Sequence, residues 1–288
     1  MAWRMTGDVT EFLDAAGGYL RRDRVRNTVL LTVTEQLRRN QVRDSRPGAN
    51  TPGQPDLPLF GWWTGEAGGA FMHTPPFPVV LTAVSGDAAV ALAAALAGRP
   101  LSGVNAYPET ADQFAAAWRA AVNCQVAVHQ RQRLYRLAEL AWPEPAPAGA
   151  PRIAAGADAS FVARWFTLFG EEADSLGGGE DHAAAARDRV GYGGVVLWEA
   201  GGAPVSLAGR SRPVAGMIRV GPVYTPAELR GRGYGSAATA AVSREALATG
   251  ADEVLLYTDL ANPVSNSIYQ RIGYQPVEDR VLLAFSAA

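Results

Sequence analysis

The sequence predicts an α/β protein, more closely α+β with mixed sheets, made of two like domains that each hold a central mixed sheet flanked by helices. Three observations lead there. Four prolines fall within nine residues, Pro143–Pro151, and such a run resists helix and central strand while favouring an extended spacer. The helix and strand patterns on its two sides come in the same order. In the second half, a strand pattern passes through a glycine-rich turn into a helix. At 288 residues the chain has room for two ordinary domains. The expected division is 1–142, a linker at 143–151, and 152–288.

In the first half, Phe12, Leu13, Ala16 and Leu20 share one helical face, and Val25, Val29, Val33 and Leu37 form an i, i+4 series in a second helix. Residues 59–65 and 69–75 read as a hairpin, and 77–84 as a buried strand. Residues 85–98 read as a helix with Ser85 or Asp87 at its start and Gly98 as its stop. A short strand at 101–107, a helix from about Thr110 and a strand pair from about Gln125 to Leu140 complete the half. The Pro/Gly-rich stretch Arg46–Pro58 reads as a long surface loop.

The second half repeats that order. Helices are expected at about Ser160–Glu172 and Asp181–Val190, and strands at 193–200, 203–210 and 214–224. A helix at about Gly233–Thr249, a strand at 254–260, a helix at Val264–Arg271 and a strand at 281–285 follow.

Composition narrows the function. Apolar residues make up 48% of the chain, enough for a sizeable core, and the net charge of -2 gives no electrostatic reason to expect nucleic acid as a partner. All 26 basic residues are arginine. The single cysteine, Cys124, cannot form an internal disulfide, and no Cys/His spacing suggests a metal site. No apolar run nears the roughly 20 residues a membrane span needs. The expectation is a cytoplasmic protein without membrane contact or metal, as monomer or homodimer.

The chemistry is concentrated in Val220–Gly250. A strand leads into a turn holding Gly231, Gly233 and Gly235, with a helix behind it. Glycines let backbone N–H groups turn toward a guest, and a helix N-terminus adds donors and a positive dipole end suited to a pyrophosphate. Arg230 and Arg232 bring charge that can pair with phosphate. A Walker A loop is excluded because the chain has no lysine. Gly231-Arg-Gly233-Tyr-Gly235 also lacks the dinucleotide-binding spacing.

Arg230-Gly-Arg-Gly233-Tyr-Gly235 resembles the R/Q-x-x-G-x-G/A signature of the GNAT acetyltransferases. A second segment, from Asn262 through Asn266 and Tyr269 to Gly273-Tyr274, is similar to that family's second cofactor segment. The resemblance covers roughly Pro151–Ala288. It implies acetyl-CoA as co-substrate, held at its acetyl and pantetheine amides by the backbone of Val223 and Thr225, with Tyr224 between them. It implies that Arg230, Gly231, Arg232, Gly233, Tyr234, Gly235 and Ser236 cradle the pyrophosphate. Asn262 and Asn266 would contact the pantetheine or nucleotide arm, and Tyr269 would be the general acid for the leaving thiolate. A phenol of pKa near 10 is chemically suited to a thiolate of pKa about 8–9. Tyr269 also reads as a packing residue, and Asn262, before Pro263, as a helix N-cap.

The family has no fixed general base. Glu171 and Glu172, at the end of the first helix of this half, are the expected candidates, with Glu199 and Asp259 as rivals and Asp181 and His182 as loop residues near the substrate side. The first half lacks the pyrophosphate signature: Ser85-Gly-Asp87 stands in its place, and Asp87 would repel phosphate. It reads as a degenerate copy that shapes the amine pocket or an oligomer surface; Trp62 and Trp63 are candidate pocket or core residues. The implied reaction is direct attack of a primary amine, on a small molecule or peptide, on acetyl-CoA. Another acyl-CoA, or a non-catalytic acyl-CoA sensor, is the alternative.

Overall fold

A computed structural model describes residues 1–43, 57–173, 176, 178 and 181–288. The chain divides into two compact units. The first comprises 1–132, 176–178 and 279–288; the second comprises 133–175 and 179–278.

The first unit begins β1 (Trp3–Thr6), α1 (Val9–Arg22), α2 (Thr28–Arg43), β2 (Leu59–Trp63), β3 (Ala70–His73) and β4 (Val79–Leu81). It continues with α3 (Gly86–Leu96), β5 (Gly103–Ala106), α4 (Pro108–Val122) and β6 (Cys124–Leu137). The second order is the same: β7 (Ala150–Ile153), α5 (Ala159–Glu172), α6 (His182–Gly191), β8 (Val195–Ala200), β9 (Ala203–Arg210) and β10 (Met217–Tyr224). Then come α7 (Tyr234–Ala248), β11 (Glu253–Asp259), α8 (Pro263–Arg271) and β12 (Tyr274–Ala287). The expected duplication is therefore present, element for element.

In the first unit β1, β2, β3 and β4 pair antiparallel in sequence, and β4 pairs parallel with β5. Val281–Ala284 of β12 add to β5 as its antiparallel neighbour. The alternation of β2 is clean. Leu59 joins the core beneath α3 and α4 with Phe71, Leu92 and Phe114, while Phe60 stacks on Phe12 of α1 with centroids 5.3 Å apart. In the second unit β7, β8, β9 and β10 are antiparallel neighbours, and β10 pairs parallel with β11. Alanines 237, 238 and 241 bring α7 close onto one sheet face against Val196, Ile218 and Leu256. On the other face, Val162, Trp165 and Phe166 of α5 and Ala186 of α6 cover Leu197, Leu207 and Tyr224.

Local signals explain most element ends. Ser85 caps α3 by accepting the Ala88 N–H, Asp181 caps α6 by accepting from Ala184, and Asn262 caps α8 by accepting from Ser265 at 3.0 Å. Several expectations shift. The second helix starts at Thr28 and buries Leu30, Leu31 and Thr34, while Val29, Val33 and Leu37 are only half-buried; neighbouring Leu30 and Leu31 outcompete the valine series for the core. The strand pair expected at about 125–140 is one 14-residue strand, because no turn residue interrupts it. The last strand is also 14 residues long, starting at Tyr274. Strands β1 and β7 were missed, each only four residues.

The proline-rich segment 143–151 lies within the second unit. Trp198 Nε1 donates to the Ala148 carbonyl at 3.0 Å, and β7 begins at Ala150 and pairs with β8. The expected loop at 46–58 lies almost wholly outside the described residues.

Candidate functional site

The site is organised by where two parallel strands stop pairing. β10 and β11 are in register from Met217↔Glu253 to Val220↔Leu256, after which each strand runs on without the other. A bulge accompanies the separation: Val220 lies opposite Arg210 but Val223 opposite Ala208, so three residues of β10 span two of β9. Val220 and Val223 consequently both face the α7 side, which an even strand would not allow. The bulge leaves backbone of Gly221–Tyr224 beside a gap whose other wall is Tyr257–Asp259. A pair of parted strands is a natural seat for an extended chain bearing amides.

The end of β10 is held firmly. Buried Ser206 donates to the Tyr224 carbonyl at 3.0 Å and shares a 2.9 Å hydrogen bond with Thr225 Oγ1. The turn beyond folds back on itself, with Arg230 Nε donating to the Thr225 carbonyl at 2.9 Å and Arg232 to the Glu228 carbonyl at 3.3 Å. Gly231 and Gly233 have φ of 76° and 82°, a region that side chains disfavour. Gly233 is the N-cap of α7, and no side chain caps that helix. Its first N–H groups are thus left for another acceptor. A Cβ at Gly231 would meet no atom within 4 Å, so the space over the turn is open. Donor set, dipole and arginines all fit a pyrophosphate.

Helix α8 supplies the other predicted residues. Asn266 Nδ2 donates to the carbonyls of Asp259 and Asn262, both at 2.8 Å, and its Oδ1 accepts from the Tyr135 hydroxyl at 3.0 Å. Its amide is committed to the fold. Asn262 uses its Oδ1 as the cap and keeps Nδ2 at the exposed surface. Tyr269 is 9% exposed, and its ring centroid lies 6.5 Å from Tyr135 and 6.2 Å from Tyr274. Burial pushes its phenol up to about 12, against a smaller pull from Ser265.

Of the carboxylates, Glu199 is held by Arg152 at 2.8 Å and Asp181 is a helix cap. Glu171 and Glu172 end α5, exposed. Glu172 forms an ion pair with Arg230, tying the end of α5 to the glycine turn. Beside them the Tyr224 hydroxyl has its pKa raised, first by burial and then by Glu172. Trp63, half-buried, packs on Trp3 with centroids 5.5 Å apart.

A family model described as FR47-like protein matches residues 207–283, the strands and helices of this site. Among curated proteins no sequence match is found. Solved structures resemble the chain far beyond that segment. A Drosophila protein aligns over 99% of this chain and 98% of its own at 16% identity and a TM-score of 0.65. A GCN5-related N-acetyltransferase from Kribbella flavida covers 76% of this chain and 87% of its own at 20% identity and a TM-score of 0.55. A tandem GNAT protein from the clavulanic acid biosynthesis pathway covers 99% and 98% at 13% identity and a TM-score of 0.51.

This is a tandem GNAT fold.

The two GNAT units differ at the corresponding place. In the first, β4 and β5 pair only at Val79↔Val104 and Val80↔Asn105, and no bulge opens them. Arg280, 3% exposed, donates to the carbonyls of Leu81 and Asn105 and to Asn105 Oδ1, all at 2.9 Å. Its guanidinium also lies over the Tyr107 ring at 5.3 Å. The gap between these GNAT strands is filled by a side chain of the chain itself. A cavity of about 200 Å³ nearby, lined among others by Tyr19, Glu66, Thr82 and Tyr107, falls below the usual 300–1,000 Å³ of ligand sites. Sequence reasoning missed Arg280, Ser206 and Tyr135, since each works through a partner far along the chain. For Tyr135, a polar aromatic between Leu134 and Arg136 in a strand pattern was the available signal.

Proposed function

We propose that the second unit is an acyl-CoA-dependent N-acetyltransferase that moves acetyl from acetyl-CoA to a primary amine by direct attack. The observation that carries this is the parting of β10 and β11 at Val220, next to an uncapped helix behind a glycine turn. In this reading the backbone of Val223, Tyr224 and Thr225 hydrogen-bonds the amides of the thioester arm. Residues Arg230–Ser236 receive the pyrophosphate, and Asn262 Nδ2 donates to the arm. Bound acetyl-CoA would supply an activated acyl carbon and a thiolate leaving group.

The chain's own groups then manage charge and protons. A β10 N–H near Val223 stabilises negative charge growing on the carbonyl oxygen. Glu171 or Glu172 takes the amine's proton; phosphate on Arg230 competes with Glu172 for the guanidinium and frees that carboxylate. Tyr269 faces the leaving sulfur. Its phenol, at about 12, is some 3–4 units less acidic than an ordinary thiol, so complete proton transfer would be uphill by roughly 5 kcal/mol. Tyr269 therefore acts by donating a hydrogen bond to the sulfur rather than by giving up its proton outright.

The experiment follows free thiol release from acetyl-CoA over a panel of amines, with calorimetry of acetyl-CoA binding alongside. Tyr269→Phe should bind acetyl-CoA normally and lose about ten- to hundred-fold in kcat. Gly233→Val should lose binding. Heat of binding without release on any amine would turn the reading toward a sensor, and no heat at all would end it.

A further inference from the structure

On the sheet face opposite α7, the second unit carries two guanidinium groups without a hydrogen-bonding or charged partner among the described residues. Arg219 of β10 stands opposite Leu255 of β11, one residue before the strands part. Ile218 and Val220 face α7, so Arg219 faces the side that α5 and α6 cover, which is also the side of Tyr224. Tyr257, two residues beyond Leu255, shares that face. The backbone of Arg219 is tied to Ser211, whose N–H donates to its carbonyl at 2.8 Å and whose Oγ accepts its N–H at 3.0 Å. The side chain is half-buried and makes no hydrogen bond or ion pair with any described residue.

Arg189 of α6 is in the same condition. Its Cζ lies 5.1 Å over the ring of Phe166, a residue of the cluster that holds Tyr224, and its guanidinium too makes no hydrogen bond or ion pair with any described residue. The pKa of Arg219 is lowered by burial and again by Arg189, with Tyr257 opposing, so the two cations repel each other. The nearby carboxylate, Asp188, is held by Arg212 at 2.6 Å. Half-buried, mutually repelling guanidiniums are costly unless an anion joins them, and a planar fork is matched to a carboxylate.

We propose that Arg219 and Arg189 form a carboxylate subsite, and that the acceptor is a small amine carrying a carboxylate, an amino acid. The inference rests on the acetyltransferase reading for its reaction, but not for its binding. The distance is suitable, since Arg219 precedes the opening at Val220 by one residue, roughly 3.3 Å of strand.

The test compares each of the common amino acids with its carboxamide and its decarboxylated amine. With acetyl-CoA present, the best acid should exceed its amide in kcat/KM at least ten-fold. In Arg219→Gln that ratio should fall toward one through a higher KM for the acid, with partial rescue in Arg219→Lys. Calorimetry of the acids and amides without acetyl-CoA separates the two readings. Binding of the acid but not the amide, lost in Arg219→Gln and Arg189→Gln, sustains the subsite even if no thiol is released. Equal kcat/KM for acid and amide, or a preference unchanged in both variants, overturns it, as does the absence of acid binding.

Discussion

Replacing Arg280 with methionine would leave the Leu81 and Asn105 carbonyls without their donor at a largely buried position. Orphaned buried groups cost about 1–3 kcal/mol each, and a methionine of similar length fills the space without supplying an N–H. The expected loss is roughly 2–4 kcal/mol, read as a lower urea midpoint. A midpoint unchanged from that of the parent chain would mean that these hydrogen bonds contribute nothing net. The same side chain occupies the carbonyls of Leu81 and Asn105, at the strand ends of the first unit. The contrast with Arg230 is one of burial. Arg230 and Glu172 have side chains each 48% exposed, and an exposed pair contributes little stability. Such a pair can be exchanged for a ligand at small cost, whereas the Arg280 network cannot.

At the scale of elements, two devices build the site. The bulge of β10 separates it from β11, and the turn after α8 returns the chain to the sheet. Gly273 makes that turn at φ 99°, and a Cβ there would collide with the Glu139 carbonyl. The Ala138 N–H donates to the Gly273 carbonyl at 3.0 Å, and the Ala141 N–H to that of Ile272 at 3.1 Å, so the end of α8 is clasped by the segment following β6. Tyr274, next in line, shares a 2.7 Å hydrogen bond with Ser243 of α7. Gly273→Ala should therefore destabilise the chain by roughly 3 kcal/mol or more, since backbone strain and a steric clash act together. Thermal unfolding checks this; an alanine variant as stable as the parent would show that the segment shifts freely.

For the whole molecule, pH dependence follows from one buried base. His73 of β3 is fully buried, and neither ring nitrogen has a hydrogen-bond partner. Burial, with Arg99 adding to it, lowers its pKa from 6.5 to about 4. Below pH 6.5 the unfolded chain takes up a proton that the folded chain refuses. Stability is complete above that value and declines as pH falls toward about 4, by roughly 2–3 kcal/mol between pH 7.5 and 4.5. His73→Met should flatten this slope, measured as urea midpoints across that range. An identical slope in parent and variant would remove His73 as the cause.

The duplicated order of elements, the helix caps Ser85 and Asn262, and the glycine turn at Gly231–Gly235 were determined by the sequence alone. These are local: periodicity, a capping oxygen and a backbone that needs positive φ leave their mark within a few residues. The tertiary structure alone decided which carboxylate meets Arg230, that Asn266 spends its amide on Asp259, Asn262 and Tyr135, and that Arg280 fills the gap of the first unit. It also decided where the first unit ends, because the closing residues 279–288 belong to it. Glu172 and Arg230, Tyr135 and Asn266, and Arg280 and its carbonyls stand tens to nearly two hundred residues apart, and no spacing along a chain records which distant carbonyl a buried guanidinium will find.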